Sequence, residues 1–180
     1  FPDAARALVP LACAPTQSAG RNRMMRRTLM DAITQDPDFK GGEYSAPPRG
    51  LRAALGLLYM MGSAPLVQHR QAPTRAAADS VITAYLDARM KATDPNDMLY
   101  QFDASRDYDP SSLLERVTVP VLHINSADDL VNPPELGLME QLIPRVKSAK
   151  YILLPITDRT RGHGTHTIPA IWGDSLRRFM

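Results

Sequence analysis

The chain has 180 residues, 44% of them hydrophobic and 22% charged, with a net charge of +2. That is one globular domain of ordinary size, or a large piece of a bigger protein. The small, scattered charge gives no ground for a nucleic-acid partner, and no run approaches the ~18–20 apolar residues of a membrane span. The one cysteine, Cys13, excludes an internal disulfide framework and a cysteine-based metal site.

The chain opens on Phe1–Pro2–Asp3, which has neither an initiator Met nor the charged and apolar regions of a signal peptide. Arg6 to Cys13 is a short apolar run of strand type. A chain that begins on an inner strand is expected to lack an upstream half. The strand gives way at Ala14–Ser18 to a helix through Met24, Met25, Leu29 and Ile33, capped by Ser18 or Asn22 and ending before Asp36–Pro37. The basic cluster Arg21–Arg27 contains Met24 and Met25, so it reads as the solvated face of that helix.

Turn formers from Asp36 to Tyr44, closed by Pro47–Pro48, make the next loop. A second helix, about Arg49 to Met61, is apolar nearly all round and is expected to be buried. A third runs from about Thr74 to Lys91, with Ala78, Val81, Ile82, Tyr85, Leu86 and Met90 on one stripe. His69 falls in the polar linker between them. Asp94 then caps a short helix with Pro95 at its first position.

Some hundred residues thus pass without a strand, whereas an α/β crossover needs only a dozen or more. The excess predicts an inserted helical cap over residues 16–118, between an inner strand in 1–15 and an α/β core in 119–180. In that last part Pro120–Asn125 is a strand, about Pro134 to Lys147 a helix, Lys150–Pro155 a strand, and about Ile168 to Met180 a helix. The alternation predicts parallel strands joined by right-handed crossovers.

Each of these strands runs into a loop with chemistry. Asp128 and Asp129 follow the first, where open α/β sheets place their sites. His163 and His166 follow the second. An acid and then a histidine, each on a post-strand loop, is the tail of a Ser…Asp…His order, in which the acid orients the imidazole and the imidazole takes the nucleophile's proton. Asp128 is preferred to Asp129, because Leu130 and Val131 at +2 and +3 let the turn tuck apolar groups beneath it. His163, between Gly162 and Gly164, is preferred to His166. His123 lies inside a strand and is expected to be packed. No zinc-hydrolase spacing or phosphate loop is present, so no metal site is expected. Ser126 and Ser63 lie outside any Gly-x-Ser-x-Gly elbow, so the nucleophile is expected outside these residues.

Further motifs carry a resemblance. Phe1–Pro2–Asp3 with Leu8–Ala12, then Ala32–Ile33, Asp36–Pro37, Gly41–Gly42–Glu43–Tyr44 and Pro48–Arg49–Gly50–Leu51, then Ser126–Pro133 and Gly162–His163, are together similar to the C-terminal half of the homoserine O-acetyltransferase-like branch of the α/β-hydrolases. The resemblance implies that half of an α/β-hydrolase fold under a helical cap, with Asp128 and His163 as acid and base. It implies an acyl-enzyme on an upstream serine, with acetyl-CoA as co-substrate and an alcohol as acceptor. An esterase using the same triad, or a non-catalytic binding piece, is the alternative. Homoserine enzymes commonly carry an acid directly after the catalytic histidine, where this chain has Gly164. They also carry an Arg near the place of Leu55. The expected partners are these small molecules and the upstream half of the protein, with a homodimer allowed. The expected compartment is the cytoplasm, with the periplasm open. The chain alone is expected to be inactive.

Overall fold

The computed structural model describes residues 4–180. The reading of Phe1–Pro2–Asp3 lies outside them. In chain order the elements are α1 (Gly20–Thr34), α2 (Arg49–Gly62), α3 (Pro65–Gln71), α4 (Arg75–Ala92), α5 (Pro95–Asp103), β1 (Val121–Ser126), α6 (Leu138–Leu142), β2 (Ala149–Leu154) and α7 (Pro169–Phe179), with short 3₁₀ turns between. Among the described residues no single helix is long and apolar enough to cross a membrane. The contacts divide the chain into two compact units: one holds the chain up to Gln17, Gly62–Ala64 and Tyr108–Met180, the other Ser18–Met61 and Pro65–Asp107.

The first unit is built on β1, whose six residues are all buried. It pairs in parallel with β2, from Val121 opposite Ala149 to Ser126 opposite Leu154. On its other side lies the segment predicted as a strand over Arg6–Cys13. The structure reduces it to two parallel bridges, Leu8 to Val121 and Leu11 to Ile124. Leu8 and Ala12 donate to the carbonyls of Pro120 and Ile124 at 2.9 Å each. Pro10, midway between them, accepts Ile124 N–H on its carbonyl at 3.0 Å but has no N–H to give in return, so the ladder is incomplete there. Leu114, Val121 and Val146 pack with Val117, Leu142 and Ala149 at the base of the pair.

The single helix predicted over Pro134–Lys147 is corrected to three short pieces: a 3₁₀ turn at Pro134–Leu136, α6, and another at Ile143–Arg145. Gly137 holds a left-handed φ of 63° between the first two, and Pro144 sits in the last. Glycine terminates helices in that conformation and proline removes the donor that would continue one.

In the second unit α1 buries Met25, Leu29 and Ile33, one residue per turn. Ala19 precedes it with no side-chain cap, so neither Ser18 nor Asn22 serves as one. Asp36 does cap, accepting from Asp38 N–H at 2.8 Å and from Gly50 N–H at 2.6 Å. The expectation that α2 is buried all round is corrected: Leu51, Ala54 and Leu55 are buried, but Met60 is exposed. Along α4 the predicted stripe is half-buried at Val81, Ile82, Tyr85, Leu86 and Met90, with Tyr85 against Tyr59 at 4.5 Å between centroids. Asp94 caps α5 through the N–H groups of Asn96 and Asp97, as the sequence predicts. His69 sits in the last turn of α3, not in a linker.

Candidate active site

Strand β1 ends at Ser126, and the chain turns sharply so that Asp129 N–H donates to the Ser126 carbonyl at 3.1 Å. The two acids then diverge. Asp128 accepts the Ser126 hydroxyl at 2.6 Å. Asp129 turns inward: its Oδ1 accepts from the N–H groups of Val131 at 2.7 Å and Asn132 at 3.1 Å, and its Oδ2 faces His163 Nδ1 at 2.9 Å. The preference for Asp128 is therefore corrected as to geometry. The acid beside His163 is Asp129, because two forward N–H donors hold its carboxylate inside the turn. Its side chain is fully buried, while that of His163 is 30% exposed.

The histidine loop is fixed from within. Gly162 takes a left-handed φ of 63° and passes so close to Ser63 that a β-carbon would lie 3.0 Å from that residue's carbonyl carbon. Thr165, buried, donates its N–H to the Gly162 carbonyl at 3.0 Å and accepts Arg161 N–H on its hydroxyl at 2.8 Å. These bonds close a tight loop with His163 at its crest. His166 does not meet an acid. Its Nδ1 donates to the His163 carbonyl, its ring stands edge-on to His163 at 5.1 Å, and its own carbonyl accepts Trp172 Nε1–H at 3.1 Å. A small recess lined by Leu11, Ala12, Ser126, Gly162, His163, His166 and Trp172 opens at this point.

Nδ1 engaged by a carboxylate leaves Nε2 of His163 as the nitrogen that can take a proton, the arrangement a general base requires. Cys13 is a poor nucleophile here. Burial first, and the Asp129 charge second, push its thiol up to about 11, so it stays protonated. His123, buried as expected, donates from Nε2 to the Cys13 carbonyl at 2.8 Å, and burial pushes its pKa down. No group of three or more potential metal ligands gathers among the described residues.

The residues that sequence reasoning misses are Asn132, Ala12 and Thr165. Asn132 Nδ2 donates to the Ala12 carbonyl at 2.8 Å, and Ala12 itself holds a φ of 51°. That conformation costs an alanine roughly 1–2 kcal/mol, and nothing in the run Leu11–Ala12–Cys13 announces it. A sequence signal did exist for the acids: Ser126 precedes Asp128 by two residues, close enough to engage it and take it out of contention.

No protein-family model matches this sequence, and no curated protein does. Solved structures do. The chain superposes on homoserine O-acetyltransferase from Bacillus anthracis with a TM-score of 0.84 at 18% identity, over 99% of this chain and 54% of that one. It superposes on esterase E22 with a TM-score of 0.85 at 19% identity, over 99% and 55%. A third likeness, to the α/β hydrolase MGS-M2 from a Medee basin deep-sea metagenome library, has a TM-score of 0.67 at 12% identity, over 97% and 55%. The chain therefore spans little more than half the length of the structures it matches.

Proposed function

We propose that this chain, which has the fold of the C-terminal part of an α/β-hydrolase, supplies the acid–base arm of a covalent acyl-transfer site. The observation that carries the reading is the 2.9 Å contact between His163 Nδ1 and the fully buried Asp129 carboxylate. Asp129 holds the tautomer with the proton on Nδ1, so Nε2 can accept the proton of an attacking hydroxyl. The hydroxyl oxygen bonds to the acyl carbon of an ester or thioester, the bond to the leaving group breaks, and His163 returns the proton to that group. A second hydroxylic acceptor, deprotonated through Nε2, then attacks the acyl carbon, the bond from that carbon to the enzyme oxygen breaks, and His163 returns the proton to that oxygen.

The nucleophile in this reading is a serine outside these residues. The chain's span of 54–55% of its structural neighbours supports that placement. So does the engagement of Ser126 with Asp128. The resemblance points to an alcohol acceptor and acetyl-CoA as donor. Gly164, in the place where homoserine enzymes commonly carry an acid suited to the substrate ammonium, argues against homoserine itself as the acceptor, and an esterase that passes the acyl group to water is the second reading. The test is the complete protein assayed with acetyl-CoA plus amino-alcohol acceptors and, separately, with an aryl acetate. Acetyl transfer to an acceptor supports the transferase, and hydrolysis of the aryl ester without transfer supports the esterase. Undiminished activity after His163→Ala would overturn both.

A further inference from the structure

Asn132 joins the two stretches of chain that meet behind the acid. Its backbone N–H donates to Asp129 Oδ1 at 3.1 Å, and its side-chain amide donates to the Ala12 carbonyl at 2.8 Å. That carbonyl is held on a fixed backbone. Ala12 is buried in a left-handed conformation, and its N–H is bonded to Ile124 of β1 at 2.9 Å. The next residue, Cys13, is gripped by Asn125, which accepts its N–H at 3.2 Å and donates to its carbonyl at 3.0 Å. A non-glycine residue keeps such a backbone only where its surroundings over-determine it.

The start of the acid turn is held by Asp129 N–H on the Ser126 carbonyl at 3.1 Å and by Val131 N–H on Asp129 Oδ1 at 2.7 Å. After Asn132 come Pro133 and Pro134, neither of which has an N–H to offer. The Asn132 peptide is thus the last N–H that this turn offers before the two prolines. Val131 N–H occupies Oδ1 as well, at 2.7 Å, so the orientation of the Asn132 peptide decides whether Oδ1 keeps its second hydrogen bond and how firmly Oδ2 is turned to His163.

We infer that Asn132 is a positioning residue: its side-chain clamp on Ala12 fixes one of the two peptides that hold the Asp129 carboxylate toward His163. This rests on the acid–base reading proposed above. Without the clamp the turn loosens at its C-terminal end, the carboxylate rotates more freely, and the His163 tautomer is no longer imposed.

The test is NMR of the ¹⁵N-histidine-labelled chain, reading the tautomer of His163 and the solvent exchange of its Nδ1–H, with His123 as the internal report on an intact fold. The wild type is expected to hold His163 with the proton on Nδ1, in slow exchange. Asn132→Asp, which keeps the shape but loses the donor, and Asn132→Ala are both expected to speed that exchange several-fold and move His163 toward the mixture of a free imidazole, with His123 unchanged. A wild-type His163 signature in both variants would overturn the inference and leave the acid–base reading standing. A wild type without that signature, or one that Asp129→Asn leaves unmoved, would instead remove the acid–base reading. Should Asn132→Ala not fold, Asn132→Asp decides. Loss of folding in both would also overturn the inference, since Asn132 would then serve stability and not positioning.

Discussion

Asp129 Oδ2 lies 2.9 Å from His163 Nδ1, although the two residues belong to loops 34 positions apart. Its neighbour Asp128 is spent on the hydroxyl of Ser126. In a complete protein that carries the nucleophile, Asp129→Asn should lower kcat on the order of 10⁴-fold, because an amide stabilises the wrong tautomer. Asp128→Asn should change it only a few-fold. Steady-state kinetics of the two variants check this, and equal losses would remove the assignment.

Gly162 and Gly164 flank the same histidine but should respond unequally to alanine. A β-carbon at Gly162 meets the Ser63 backbone at 3.0–3.1 Å and would sit on a positive φ. Gly162→Ala should therefore cost about 1–3 kcal/mol. At Gly164 the nearest atom is 3.7 Å away, ordinary van der Waals contact. Gly164→Ala should stay within about 0.5 kcal/mol of the wild type. Urea unfolding of both variants gives the comparison.

Gly50 predicts a larger effect. A β-carbon there would lie 1.7 Å from the Ala32 carbonyl oxygen, so α1 and α2 would have to separate. Gly50→Ala should cost about 3 kcal/mol or more, since backbone cannot move aside as a side chain can. Asp36→Ala, which removes a cap and the acceptor for Gly50 N–H, should lower the urea midpoint as well, by less than Gly50→Ala does. If Gly50→Ala proved as stable as the wild type in urea, the close approach of α1 and α2 would be wrong.

His123 should make stability depend on pH. Burial depresses its pKa below the ordinary 6.5, against the opposing pull of the Cys13 carbonyl. Above 6.5 both folded and unfolded forms are neutral and the stability is fully present. As pH falls below 6.5 the unfolded chain gains a proton that the folded one resists, and stability is lost until the folded pKa is passed. The urea midpoint of the wild type should fall more between pH 7.5 and 5.5 than that of His123→Asn. Parallel falls would mean that other groups carry the dependence.

Much of this architecture was legible in the residues. The apolar runs Val121–Ile124 and Tyr151–Leu154, each followed by a loop and a proline-opened segment, announce parallel strands. Asp94–Pro95 announces a helix start because cap and fixed φ coincide. What escaped depends on tertiary context. Helix α3, Pro65–Gln71, is under two turns long and ends in Gln68, His69, Arg70 and Gln71, so it has no apolar period to detect. The break at Gly137 competes with a good helical composition on both sides. The choice between Asp128 and Asp129 turned on which carboxylate the backbone amides of Val131 and Asn132 would capture. Apolar neighbours at +2 and +3 do not report that.

The flanking of β1 by two partners of very different sequence distance bears on how the chain folds. Ala149, paired with Val121, lies 28 residues along the chain, whereas Cys13 reaches Asn125 across 112. Closing a loop four times longer costs about 1.2 kcal/mol more in chain entropy. The β1–β2 unit can therefore assemble first, with the segment around Ala12 docking late. On that order of events the hydrogen bonds of Asn132 and Asn125 to Ala12 and Cys13 are made in the last step. The acid and the histidine would find each other before the backbone that steadies them has arrived.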